Sequence, residues 1–503
     1  MLPQTLSSAT EKFMDDNLFS KINQGLSHCL PSTGASSLST IDNQLLTLKR
    51  NTIVDLGTLP QSSWLSHQYL QLNHKDLVLL NDPYSGNSHL QSMTLVAGLR
   101  DPLTNHAIRG DNKSQFLLAH RFWFKPRVIH TLNIDEEGVR IPPTPLYHEG
   151  QFNQQLLDGV SAHPLSPPGF SDRVQTETKK LLQHIDLLSP MFRSFELTES
   201  ELRAYLRESK KRFIQLVEGF RHTETYKEHK LTDGSYIKLA ITMKSSKVIF
   251  DFSGTEESKV IALTDGATVS ACLYSLYQFL PSNTPINSGI LQNIEVITPT
   301  QSTVSAKFPR SVFLGMTEGV QWLSHFILQS LQEFASDGLK LAESPSIQSS
   351  FEIQFQSGQI FYDDIQSGQG ATNFKNGLPG TNIENRLDLN PCLEKIEALY
   401  PLRFQSITER IRSGGSGHYQ GGNGLSKFID ILEAGTLRWS TFEPLARPQG
   451  VEGGQAGASL EFYVLRSGEK ISLIHEKQFS LKKGDTLAIL SPGGGGFGQL
   501  KPS

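Results

Sequence analysis

Asn81-Asp82-Pro83-Tyr84-Ser85-Gly86-Asn87-Ser88-His89-Leu90 follows directly on an apolar run, Leu77-Val78-Leu79-Leu80. The run reads as a short buried strand. Asn-Asp-Pro ends it, because proline cannot donate to a sheet ladder and Asx side chains favour turns. A carboxylate, Asp82, and an imidazole, His89, are thus carried on irregular backbone at the end of a rigid strand, where functional side chains concentrate. A second imidazole, His120, closes another apolar run, Leu117-Leu118-Ala119. Two imidazoles and a carboxylate are donor types of a divalent-metal site. Each also has a plainer role open to it: Asp82 as the acceptor of an Asx turn, the histidines as core or rim residues with satisfied ring nitrogens.

Bulk composition narrows the function classes. The 503 residues suffice for two to four domains, and 37% hydrophobic with 19% charged residues describes an ordinary globular chain. A net charge of -4 offers no basic excess for nucleic acid or an anionic membrane surface. No apolar run approaches a membrane span of roughly 18 residues. Met1-Leu2-Pro3-Gln4 opens without the basic and apolar blocks of a signal peptide. Cys29, Cys272 and Cys392 are scattered and form no CxxC, which suits a reducing compartment. A cytoplasmic protein is expected.

Periodicity then orders the chain. Phe13, Leu18, Ile22 and Leu26 predict an amphipathic N-terminal helix. Thr33 to Leu48, with Asp42-Asn43 at its centre, predicts a hairpin. Asp55 precedes a helix expected to start near Gln61, which it would cap. Pro164-Leu165-Ser166-Pro167-Pro168-Gly169 marks a candidate linker, and helices are predicted over Val174–Leu188 and Thr198–Thr225. Thr198 with Glu201 has capping-box spacing. A strand follows at Tyr236–Met243, and Val248–Thr255 reads as a strand running into a tight turn, with Asp251 bonded to nearby turn amides. Helices are expected at Thr268–Leu280 and Glu318–Phe334. Glu394 and Glu397 share a helix face and are expected to pair with Arg403 or Lys395. The C-terminal part is rich in glycine, which serves close turns between short strands such as Leu460–Leu465 and Thr486–Leu490. The fold class is α+β. The expected divisions are an α/β segment at 1–150 with the candidate metal site, a helical segment at 151–230, a mixed segment at 231–390 and a glycine-rich β segment at 391–503.

Several of these stretches resemble one family. Asn81 to Leu90 is similar to the Asn-Asp-Pro-Tyr-x-Gly-Gly-Thr-His-Leu-Pro-Asp signature of the hydantoinase B / oxoprolinase family. Glu137-Gly138-Val139-Arg140-Ile141-Pro142-Pro143, Asp251-Phe252-Ser253-Gly254-Thr255, Tyr400-Pro401-Leu402-Arg403, Arg412 to Gly424, Arg447 to Gly454 and Ser491 to Gly498 resemble its other motifs in the same order. Acetone carboxylase subunits are related to that family.

The resemblance implies a B-type subunit that opens a small cyclic amide after an A-type, ATP-binding partner has phosphorylated the amide oxygen. It implies a hetero-oligomer, ATP used by the partner, and a divalent metal, zinc or manganese. The metal ligands it suggests are Asp82, His89 and His120, with Asp55 at a position where the family has histidine. The chain departs from the family at Thr33, Ser92 and Trp123, where the family has carboxylates, and at Gln420, where it has arginine. A non-catalytic homologue kept for assembly or regulation is therefore the second expectation, and a carboxylase component the third. No nucleic-acid or membrane partner is expected.

Overall fold

The computed structural model describes residues 15–100, 114–124, 131–219, 223–244, 246–281, 283–334, 340–344, 349–380, 393–440 and 447–500. Phe13 and Cys392 lie outside them. The α+β reading holds: the described residues form four sheets, two packed against helices and two against each other.

The first sheet carries the signature loop. Its strands are β1 (Ala35–Thr40), β2 (Leu45–Lys49), β3 (Leu77–Leu80), β4 (Ser92–Leu99), β5 (Phe116–Trp123), β6 (Thr144–His148) and β7 (Gln151–Phe152), in the order β2-β1-β5-β4-β3-β6-β7. All neighbours are antiparallel. The predicted hairpin is β1–β2, and Asn43 takes the positive φ (64°) that an Asx residue tolerates in a turn. The predicted buried strand is β3, with all four residues buried.

Both faces of this sheet are covered, so its strands are apolar on both sides. On one face, Leu38, Leu77, Leu79, Leu95, Phe116, Leu118 and Phe122 pack against three helices. These are α1 (Asp16–His28), α4 (Phe170–Ser194) and α5 (Glu199–Glu218), with α3 (Gln154–Ser161) beside α4. Ile22 and Leu26 of α1 are buried at the predicted helical spacing, and Phe19 is buried in place of the predicted Leu18, which is half-buried. On the other face, Val78, Leu80, Val96, Leu117 and Ala119 meet Leu59 of α2 (Asp55–Leu70). α2 begins at Asp55 rather than near Gln61, with Pro60 inside it. Proline removes one amide donor early in the helix, and burial of that helix face outweighs the loss. α5 has the full capping box between Thr198 and Glu201. It ends at Glu218; Thr225 belongs to the next strand, where Tyr226, Glu228 and Lys230 alternate outward.

The second sheet is β8 (Glu224–Lys230), β9 (Tyr236–Lys244), β10 (Lys247–Asp251) and β11 (Ile294–Ile297), ordered β11-β10-β9-β8. It packs with α6 (Asp265–Tyr277), the single turn α7 (Ser288–Leu291) and α8 (Val320–Leu331) around one core that also takes in Val54 and Leu56 of the α2 region. α8 is entered through a π-helical turn, Gly315–Gly319. Asp251 accepts from the Ser253 amide at 2.8 Å, the turn role expected of it.

The third unit is a sandwich of two sheets. β12 (Ser349–Phe355), β13 (Ile360–Ile365), β16 (Gly435–Ser440) and β19 (Gln478–Leu481) form one. β14 (Leu402–Glu409), β15 (Leu425–Ile431), β17 (Glu461–Arg466), β18 (Glu469–Ser472) and β20 (Thr486–Leu490) form the other. Phe351, Ile353, Ile429, Trp439, Phe462 and Leu487 fill the space between. The helix α9 (Leu393–Leu399) lies beside β14, where Glu397 accepts from the Phe404 amide at 2.8 Å. Arg403 pairs with Asp430 of the neighbouring strand, and not with the acids of α9. Cross-strand proximity settles that choice.

Glycine-rich strings outside any helix or strand are bonded to one another. Gly422 donates to Gln369 O (2.7 Å), Gly494 to Gly422 O (2.9 Å), Gly415 to Gly494 O (2.8 Å) and Gly495 to Glu343 O (2.8 Å). A Cβ on Gly421 would stand 2.0 Å from Gly494 O. Gly421 does not have positive φ, so close backbone approach, and not turn geometry, requires glycine there.

Candidate functional site

The signature loop is fastened by its own polar side chains. The Asn81 carboxamide donates to Leu90 O (2.9 Å) and Val139 O (2.8 Å) and accepts from Ile141 N (2.6 Å). It therefore ties the two ends of the loop to the Glu137–Pro143 motif. Asp82 caps the 3-10 turn Pro83–Ser85: Oδ1 accepts from Tyr84 N at 3.1 Å and Oδ2 from the Ser85 hydroxyl at 2.8 Å. Arg140 approaches the same oxygen at 3.4 Å. Asn87 donates to Ser92 O (2.7 Å) and accepts from Thr94 (2.8 Å). Tyr84 reaches across and donates to Arg310 O, and its ring meets Phe308 edge-on at 6.0 Å. The His89 ring lies 6.4 Å from that of Phe313. The loop thereby braces the segment that leads into α8.

Behind the loop sits a buried cation. Arg121 is wholly buried and donates to Asp55 Oδ1 (2.9 Å), Thr58 Oγ1 (2.7 Å), Thr94 Oγ1 (2.9 Å) and Ser62 Oγ (3.2 Å). Burial pulls its pKa down, while Asp55 pushes it back up. Asp55, also wholly buried, receives the amides of Asn51 (2.9 Å) and Thr52 (2.8 Å) on its other oxygen. This is how a buried ion pair is tolerated: both carboxylate oxygens and four of the five guanidinium protons find a partner.

His120 precedes Arg121 on β5, so its side chain points to the opposite face of the sheet. There Nδ1 is 3.1 Å from the Ser36 hydroxyl of β1 and Nε2 is 3.5 Å from Glu177 of α4. Glu177 is buried, and its hydrogen bond to His120, with Lys180 and Arg173 adding, holds its pKa down at about 2. Sequence reasoning misses Glu177. Its trace is positional: it lies three residues after Val174 and four before Leu181, on the buried face of α4.

These placements bear directly on the metal expectation. Asp55 and His120 lie on opposite faces of one sheet. Asp55 is committed to Arg121, Asp82 to its turn, and His120 to Ser36 and Glu177. Ser92, at a carboxylate position of the family, shares a 2.5 Å contact with Ser88. Among the described residues no group of three or more His, Cys, Asp or Glu side chains is gathered as an ion would need. Asp82, His89, His120 and Asp55 therefore do not fit together as one ligand set.

A second carboxylate stands out beside the loop. Glu137 is buried, and its Oε1 accepts from the Ser311 hydroxyl and from the amides of Val312 (3.0 Å) and Phe313 (3.2 Å). Its Oε2 has no hydrogen-bond partner among the described residues. Burial lifts its pKa to about 7, against the lowering effect of those three donors. Sequence reasoning gives Glu137 a place in a motif and no role; a carboxylate in a run ending Ile-Pro-Pro has no local partner, which is the available signal.

A family model for hydantoinase B/oxoprolinase matches residues 128–500. The chain belongs to that family. An uncharacterised protein of Methanocaldococcus jannaschii is 27% identical, over 88% of this chain and 79% of its own length. The 5-oxoprolinase of Saccharomyces cerevisiae is 25% identical over 86% of this chain, which spans only 36% of that protein. A putative D-/L-hydantoinase subunit of a Pseudomonas strain is 20% identical, over 85% of this chain and 76% of its own. Among solved structures, the ATP-dependent caprolactamase of Pseudomonas jessenii superposes with a TM-score of 0.82 at 15% identity, covering 96% of this chain and 90% of that one. An acetone carboxylase chain superposes with a TM-score of 0.75 at 14% identity, covering 96% and 75%. These two likenesses establish the shared fold. Among the described residues, no helix is long and apolar enough to cross a membrane.

Proposed function

We propose that the chain is the B-type component of a cytoplasmic, ATP-dependent enzyme that opens a small cyclic amide. An A-type, ATP-binding partner transfers a phosphoryl group from ATP to the amide oxygen; water then adds to the activated carbon on this scaffold, the ring C–N bond breaks as its nitrogen takes up a proton, and the resulting acyl phosphate is hydrolysed to carboxylate and phosphate. Family membership across residues 128–500 carries this reading, supported by a signature loop folded tightly against the chain. The chain's own contribution is arrangement and proton handling. The loop fixes the segment 308–313, and Glu137 has a proton affinity matched to neutral pH. No step of this reading is routed through a metal held by Asp82, His89, His120 and Asp55, because these four do not fit together as one ligand set.

One observation favours a second reading. The Asp55–Arg121 pair fills a polar site with an internal cation, as expected of a homologue that keeps the scaffold and has lost the chemistry. Copurification followed by a turnover assay separates the two. The tagged chain should bring down an ATP-binding partner, and the pair should hydrolyse ATP in response to 5-oxoproline, hydantoin or caprolactam. Amide-dependent ATP turnover that is unchanged when this chain is removed would establish the non-catalytic role. Turnover that requires bicarbonate would indicate a carboxylase instead.

A further inference from the structure

The segment braced by the signature loop also walls a cavity. Its volume is ≈ 380 Å³, and it lies where three parts of the chain meet: Thr131–Leu132, the central residues Lys259–Ala262 and Arg310–Gly315, and the sandwich residues Trp439–Ser440 and Ile474–Lys477. That volume is within the range of small-molecule sites. Ser440 is a buried residue of the cavity lining, and its hydroxyl has no hydrogen-bond partner among the described residues. A buried hydroxyl left unsatisfied is costly, and in folded proteins such a group usually answers to a water or a ligand.

Charge and lining together define what fits. Lys259 and Lys477 stand at the wall, both exposed. Neither joins an ion pair among the described residues. Arg310 is already held by Glu257 and by Ser258 O. Glu476 is the one carboxylate of the lining. The balance is therefore positive, with Leu314 and Ile474 as apolar members of the lining. We propose that this cavity binds a small organic carboxylate with an apolar body, its charge facing Lys259 and Lys477 and one oxygen accepting from Ser440. The site is separate from the signature loop. It requires no other chain, so its fate and that of the proposed function are independent.

Calorimetric titration of the full chain with benzoate, acetate and benzamide tests this. Benzoate should bind more tightly than acetate, which lacks the apolar body, and than benzamide, which lacks the charge. Lys259→Gln with Lys477→Gln should weaken benzoate about fivefold, the effect of two exposed cations. Ser440→Ala should weaken it by a similar factor, about fivefold for one hydrogen bond. Both variants should melt no lower than the parent, since the lysines are exposed and Ser440→Ala removes a buried hydroxyl that has no partner among the described residues. Equal affinity for benzamide, absence of saturable benzoate binding, or unchanged binding in the folded variants would overturn the assignment.

Discussion

Replacing Arg121 by methionine isolates the buried ion pair. The side chain keeps most of its length, and Asp55 keeps the two backbone amides that bind its other oxygen. The lost interactions are the four donors to Asp55, Thr58, Thr94 and Ser62. Removing one partner of a buried pair costs about 3–5 kcal/mol, because the other charge stays buried without compensation. For a cooperative unit of a few hundred residues this corresponds to a fall of roughly 6–20 °C in melting temperature. The double variant Arg121→Met with Asp55→Asn removes the stranded charge and should recover about 1–3 kcal/mol of the loss, a coupling typical of residues in direct contact. Differential scanning calorimetry of the parent, both single variants and the double variant closes the cycle. A loss below about 1 kcal/mol in Arg121→Met, or a double variant no better than that single, would refute the account of Asp55 as a pairing carboxylate.

Glu137→Gln should flatten the pH dependence of stability. A carboxyl raised to about 7 in the fold, against an ordinary value near 4.5, binds its proton more tightly folded than unfolded. Its contribution is fully present below pH 4.5 and is lost as pH rises to 7, by about 3 kcal/mol. Melting curves between pH 4.5 and 7.5 should show that slope in the parent and not in the variant. Gly421→Ala places a methyl group against Gly494 O and should lower stability by about 2–4 kcal/mol, read as a lower thermal midpoint with unchanged sandwich fluorescence. Thr198→Ala removes the capping box of α5 and should cost about 1 kcal/mol in the same assay.

Local signals in the sequence carried most of the fold. The strand Leu77–Leu80, the β1–β2 hairpin, the Thr198 cap and the strand Thr486–Leu490 each rest on neighbours along the chain, and each stands as expected. The misplaced start of α2 shows the limit, since tertiary burial overrode the breaking signal of Pro60. The site was harder to read for the same reason. Asp82 meets its turn partners, Tyr84 and Ser85, within three residues, so its turn role is visible in advance. Asp55 and Arg121 are 66 residues apart, and His120 and Glu177 are joined only because α4 crosses β5. One-residue spacing on a strand puts His120 and Arg121 on opposite faces, a fact implicit in the sequence once β5 is known to be a strand with both faces covered.

The glycine strings have a spectroscopic consequence. Their amides are bonded between stretches of backbone that belong to neither helix nor sheet, so circular dichroism will count them as coil. Deuterium uptake will count them otherwise: the amides of Gly415, Gly422, Gly494 and Gly495 should exchange on the timescale of the sandwich core. The two measurements will disagree over the same residues, one finding rigidity where the other registers none.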